Sequence, residues 1–286
     1  METFEVRVLK VAQMDLPGPE VYWMSHWDEW FEAWFLMVVA RNEDHIVVVN
    51  TGPPTQLDAL NDAWRGFHPS GRVQMVRSEE DRPENRLGEL GIHPDQVDHL
   101  VITPLVGYTV GSLGLFKNAT VHISRKGWIE DVFAPPFEAH IPRNVFLPPE
   151  AETYLLGEAH HRLVLADQQV VVPGIRTWWT GVHHRSSLAV EIDTASGVVI
   201  VTDCGFAYGN IEGNHYLGVG ESYAEAMVAY KKIRDRADII VPLYDPEVFE
   251  RYPHGHLTAL HAKPAETPEL STIVSLKSVT TGGANG

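Results

Sequence analysis

With 286 residues, 44% of them hydrophobic, the chain can bury one sizeable core, and no apolar run nears the roughly 20 residues that a membrane-spanning helix needs. Twenty-two basic against 38 acidic residues leave a net charge of −16, which repels phosphate backbones and anionic surfaces and argues against nucleic-acid and membrane partners. Cys204, the single cysteine, can form no intrachain disulfide, and no basic segment leading into an apolar one opens the chain, so a soluble cytoplasmic protein is expected.

In chain order, residues 4–11, 33–40 and 46–49 are short, β-branched apolar runs that predict strands, the third ending at the turn Asn50-Thr51-Gly52-Pro53-Pro54. Between the first two lies an aromatic stretch in which Trp23, Trp27, Trp30 and Trp34 recur at intervals of four, three and four, a spacing that predicts one face of a helix. A helix is expected over 56–64 and a shorter one ending near Gly91, followed by strands at 99–103 and 120–124. Residues 128–154 are rich in proline and aromatics and suggest a lid-like insertion at about 130–160. Strands are then predicted at 162–165, 169–172, 175–179, 188–192, 198–202 and 239–242. The helix expected over 221–236 carries Tyr223, Met227, Tyr230 and Ile233 on one face. The expected organisation is one domain over residues 1–264 and a loose tail over 265–286, with helices outside two mixed sheets.

Several stretches resemble the metallo-β-lactamase superfamily, and within it the branch of N-acyl homoserine lactone hydrolases. Residues 90–103, LGIHPDQVDHLVIT, look like the helix, turn and strand leading into that family's metal loop, and 114–121, GLFKNATV, like the segment after it. Gly181-Val182-His183-His184-Arg185-Ser186-Ser187 sits where the family carries a Gly-His-Thr-Pro-Gly-Ser type turn, and the run into Asp203 resembles the strand that delivers a metal-bridging aspartate. Residues 210–214, NIEGN, and 245–249, DPEVF, complete a likeness spanning roughly residues 33–256. The resemblance implies an αββα sandwich and a hydrolase.

The departures fall on the metal ligands. The family motif Thr-His-x-His-x-Asp-His-x-Gly lies over residues 103–111, where Thr103 and Gly111 remain but Pro104, Val106, Tyr108 and Thr109 replace three histidines and an aspartate. Proline and valine offer no side-chain lone pair, and tyrosine and threonine are poor substitutes. Tyr244 stands in place of the last family histidine, leaving His183 and Asp203, so no metal and no other cofactor is expected. A rebuilt mononuclear site drawing on His184, His254 or His256 stays open.

The chemistry left to such a site is a His183–Asp203 pair activating water, with the hydroxyls of Tyr108, Thr109 and Tyr244 as donors to developing charge. The same pair, inherited from a lost metal site, could equally do no more than satisfy its own hydrogen bonds. The aromatic stretch is then either a core or subunit-contact stripe or a pocket wall; in the second case Trp23, Trp27, Trp30, Trp179, His184 and Phe206 bind an apolar or aromatic substrate. Cys204 is assigned to packing. The leading expectation is a metal-independent hydrolase of an ester, lactone, amide or activated ether. The alternative is a non-catalytic binding protein or a supporting subunit of another enzyme. A homodimer is expected, with a second subunit possible.

Overall fold

The first strand explains much of the architecture. In β1 (Glu5–Pro17) apolar and polar residues alternate up to Leu9, the phase slips where Val11 bulges between Lys10 and Ala12, and alternation resumes at Met14 and Leu16. Both halves therefore turn their apolar side chains inward despite the break in period. Its antiparallel partner β2 (Trp30–Arg41) buries six consecutive residues, from Phe35 to Ala40, as a strand covered on both faces must. This is a computed structural model; it describes residues 2–68, 70–135 and 146–257.

β1 and β2 open a six-stranded sheet continued by β3 (Ile46–Val49), β4 (His99–Ile102), β5 (Thr120–Ile123) and β6 (Leu163–Leu165), in that order. From β3 onward the strands are parallel. A second sheet has the order β11-β10-β9-β8-β7, from β7 (Gln168–Val172), β8 (Ile175–Trp179), β9 (Leu188–Thr194), β10 (Gly197–Thr202) and β11 (Ile239–Pro242). One apolar core joins Val38, Val48 and Val101 of the first sheet to Val190, Val199 and Val241 of the second. The expected pair of mixed sheets with helices is observed. No helix of the described residues is long and apolar enough to cross a membrane.

Several elements differ from the sequence reading. Trp30 and Trp34 do not share a helix with Trp23 and Trp27: they lie on β2, paired with Pro17 and Gln13 of β1. Trp23 and Trp27 occupy the turn before it, where Met24 and His26 take positive φ, and both are more than half exposed. A four-residue interval fits a helix face but equally fits one face of a strand, and pairing along the whole of β1 decided the matter. α1 (Gly18–Val21) is a single turn, and α2 (Asp58–Phe67) runs further than expected. The C-terminal helix α3 (Tyr223–Arg236) is capped by Ser222 and buries Ala226, Ala229, Tyr230 and Ile233, while Tyr223 is exposed and Met227 only partly buried. The small Ala226 and Ala229 let the helix approach the sheet, so they share the contact face with Tyr230 and Ile233 in place of Tyr223 and Met227. The proposed insertion opens with a π-helical turn, Trp128–Phe133; residues 136–145 and the tail after Lys263 lie outside the described residues.

Candidate functional site

The ends of β4, β10 and β11 and the turn between β8 and β9 converge on one place. Asn50, with φ of 63°, receives the Thr103 backbone N–H at 2.8 Å on its side-chain oxygen and returns an amide hydrogen bond to the Thr103 carbonyl at 2.7 Å. Asparagine tolerates this left-handed conformation, and its amide fixes the start of the 103–111 loop. At the other end a Cβ on Gly111 would fall 2.1 Å from the Pro54 nitrogen, so only glycine lets the two loops touch.

The turn after β8 aims a histidine. Gly181 and Val182 both have positive φ, 59° and 77°, and the His183 N–H reaches back to the Gly181 carbonyl at 3.1 Å. A buried β-branched residue in this region is a steric outlier, and such strain clusters at functional sites. The turn is tied down from three sides. Ser186 Oγ accepts from Leu105 N at 2.9 Å, Asp131 accepts from Ser186 N at 3.0 Å, and Arg185 pairs with Glu130 and Glu225, each at 2.9 Å.

At the centre His183 Nδ1 lies 3.3 Å from Asp203 Oδ2. The Asp203 carboxylate, with no solvent exposure, also accepts from the hydroxyls of Thr103 and Ser187. Burial outweighs these donors and lifts its pKa to about 6, while burial holds His183 down to about 3. At neutral pH the pair is therefore imidazole and carboxylate, with Nδ1–H donating to Asp203 and Nε2 left free.

His183 borders a cavity of about 370 Å³ with mainly apolar walls. Its ring meets Phe206 at 4.7 Å and His184 at 4.0 Å, and Phe206 in turn meets Tyr244 at 4.7 Å. Tyr108 packs on Phe35 and stacks on Trp64 at 5.9 Å. The Tyr244 hydroxyl interacts with that of Tyr108, while the buried His184 Nδ1 has no hydrogen-bond partner among the described residues. Buried polar atoms are normally satisfied, so His184 Nδ1 is where a ligand's polar group would be held. Burial keeps both tyrosines protonated well above the usual phenol range, leaving each a neutral donor.

His183, His184, Tyr108, Tyr244 and Phe206 thus meet at one cavity, with Asp203 behind them. The remaining expected site residues do not. Thr109 turns its hydroxyl to the carbonyls of Pro104 and Val106, because a threonine at the third position of a short helical turn bonds its own backbone. Trp23 packs on Tyr216 and Tyr223, Trp27 is exposed, and Trp30 carries Arg72 over its ring. Trp179 is covered by Lys126 and Arg185 and donates to the Arg185 carbonyl at 2.7 Å. None of these four tryptophans borders the cavity; the tryptophan that does is Trp64, from α2. His254 and His256 are also elsewhere, Gly255 between them packing on Val8 and His256 lying 3.5 Å from Glu5, because residues 253–257 run along the start of β1. Cys204 is fully buried with its thiol pushed far up by burial, which excludes a ready thiolate. Glu20, His68 and Phe146 join the cavity without any signal in the sequence, since they come from three separate stretches that nothing local marks as neighbours.

A dinuclear metal centre of the family type does not fit these side chains. Among the described residues no group of three or more His, Cys, Asp and Glu side chains is placed to hold an ion. The Asp203 oxygens are already taken by three donors, and the cavity wall offers phenols and a valine where imidazoles would be needed.

The tether through Asp131 gives a test of this frame. Burial raises its pKa to about 6, so its contribution to stability is full below the unfolded value near 3.8 and is lost as pH rises through about 6. Asp131→Asn keeps an acceptor for Ser186 N without that titration. The variant is expected to match wild type near pH 4 and to exceed it by about 2–3 kcal/mol at pH 8. Urea melts at the two pH values check this; a variant less stable than wild type at pH 8 would refute it.

No protein-family model matches the chain. An N-acyl homoserine lactonase of Bacillus thuringiensis is 23% identical over 174 residues, covering 60% of this chain and 64% of the relative. The chain thus spans less than two thirds of that relative's length. One from a Bacillus species is 23% identical over 197 residues, covering 68% and 73%. Among solved structures, an N-acyl homoserine lactone hydrolase with the product N-hexanoyl-L-homoserine at its catalytic metal centre superposes with a TM-score of 0.71 at 19% identity, over 87% of this chain and 96% of the other. AidC, a dizinc quorum-quenching lactonase, gives 0.62 at 12% identity over 91% and 94%. The chain has the metallo-β-lactamase fold, and N-acyl homoserine lactonases are its relatives at low sequence identity.

Proposed function

We propose that this protein is a hydrolase of the metallo-β-lactamase fold that works without metal ions, on an apolar or aromatic small molecule carrying an ester, lactone, amide or activated ether. The observation that carries the reading is His183, held by Asp203 at 3.3 Å and bordering an apolar cavity that the neutral phenols of Tyr108 and Tyr244 also line. His183 Nε2 takes a proton from a water as the water oxygen attacks the carbonyl carbon. Asp203 stabilises the imidazolium that forms, and Tyr244 donates to the oxygen on which negative charge gathers. The proton then passes from His183 to the departing oxygen or nitrogen. Lactones are the first substrates to try, since the relatives are lactonases.

A second reading is a binding cavity without turnover. It is favoured by the burial that holds His183 down to about 3, since an imidazole so reluctant to take a proton is a weak base. One experiment separates the two. Protein stripped with EDTA and checked for metals by mass spectrometry is assayed on 4-nitrophenyl esters, aryl lactones and N-acyl homoserine lactones of graded chain length. Turnover by the stripped protein, unchanged by more chelator, is expected. Turnover that appears only with stoichiometric metal would sink the metal-free mechanism, and binding of these compounds without product would establish the second reading.

A further inference from the structure

The cavity has a second polar end. Glu20, on α1, and His68, immediately after α2, both border it, and Glu20 Oε1 lies 3.4 Å from His68 Nδ1. Their neighbours along the wall are apolar: Met14, Leu16, Val73 and Val219. His68 follows Trp64 by four residues and, as the residue that ends the helix, its N–H still bonds the Trp64 carbonyl at 2.8 Å, so the two residues sit about one turn apart. Trp64 stacks on Tyr108 at 5.9 Å, and Tyr108 lies 6.1 Å from Tyr244. One further turn, roughly 6 Å, separates His68 from that aromatic group.

We propose that Glu20 and His68 select the ligand: the molecule that fills this cavity carries a basic or hydrogen-bond-donating nitrogen that meets them, apart from the group that meets His183 and Tyr244. The inference rests on the reading of the cavity as the substrate site and adds the chemistry of the far end. Among the described residues the Glu20 carboxyl has one polar side-chain partner, His68, which can engage one oxygen and leaves the other open. Burial lifts Glu20 to about 7 and lowers His68, so the neighbouring imidazole brings little positive charge. A cationic or N–H-bearing ligand end supplies what is missing. The protein's net charge of −16 favours approach of a cation in the same sense. His68 then orients the carboxyl, and the apolar stretch between the two poles takes the hydrocarbon or aromatic body.

The test uses two matched amides, 4-phenylbutanamide and 4-[4-(aminomethyl)phenyl]butanamide, titrated calorimetrically into wild type, Glu20→Leu, Glu20→Gln and His183→Gln, with circular dichroism confirming that each variant is folded. The aminomethyl compound is expected to bind wild type at least tenfold more tightly. That preference, read as the ratio of the two affinities within each variant, should vanish in Glu20→Leu, shrink in Glu20→Gln and persist in His183→Gln. Equal affinity for the two compounds in wild type, or a preference that survives Glu20→Leu, overturns the selector role while leaving the cavity as a binding site. Failure of both compounds to bind wild type would overturn both the site and the inference built on it.

Discussion

His183→Gln is expected to lower kcat on the best ester or lactone substrate by about 10²–10⁴-fold, with little change in KM. Glutamine retains an amide N–H that can reach the Asp203 carboxylate and keeps the polarity of the wall, yet it cannot take up a proton. The variant therefore isolates base catalysis from packing. Tyr244→Phe provides the companion measurement, because it removes the hydroxyl donor and leaves the ring contacts with Phe206 and Phe35. A loss of about 10²-fold in kcat is expected if that hydroxyl meets the developing oxyanion. Turnover in His183→Gln within about threefold of wild type would remove His183 from the mechanism.

The second large effect is on stability. Asp203 has no solvent exposure and receives the hydroxyls of Thr103 and Ser187 together with His183 Nδ1. Asp203→Ala strands those donors inside the core and opens a void between β4 and the turn after β8. A loss of about 3–5 kcal/mol in unfolding free energy is expected, as when one partner of a buried polar network is deleted. Asp203→Asn fills the same volume and sheds the buried charge, but its amide NH2 must face one of the three donors that the carboxylate accepts, so it should recover most of that loss while depressing kcat, since a neutral amide stabilises imidazolium poorly. Urea denaturation of the two variants decides it. Equal stability of Asp203→Ala and wild type would mean that the network contributes nothing to the fold.

Both predictions depend on a site that the sequence disclosed only in part. His183, Asp203, Tyr108 and Tyr244 were legible because each falls in a run whose order along the chain resembles a known scaffold. His184 and Phe206, expected to bind substrate, border the cavity too, but other parts of its wall were not legible. Trp64 sits on a helix whose amphipathic pattern says which face is covered, not what covers it. Glu20 and His68 come from two different elements, and nothing in either local run marks them as neighbours. Thr109 was misjudged because its hydroxyl had a nearer acceptor in its own turn, the Pro104 carbonyl, than anything across the cavity.

By itself the sequence determined the two sheets, since period-two and continuous apolar runs bury themselves only as paired strands. It also determined the chemistry withheld from the site, because the donor atoms of a side chain are fixed by its identity: Pro104 and Val106 cannot bind a cation through their side chains wherever the fold puts them. Which tryptophan walls the cavity was decided by tertiary structure alone. The spacing of Trp23, Trp27, Trp30 and Trp34 is compatible with helix and strand alike, and only pairing of β2 with the full length of β1 turned two of them into strand residues and left the others on a turn. Local periodicity constrains which residues share a face; long-range pairing determines what that face meets.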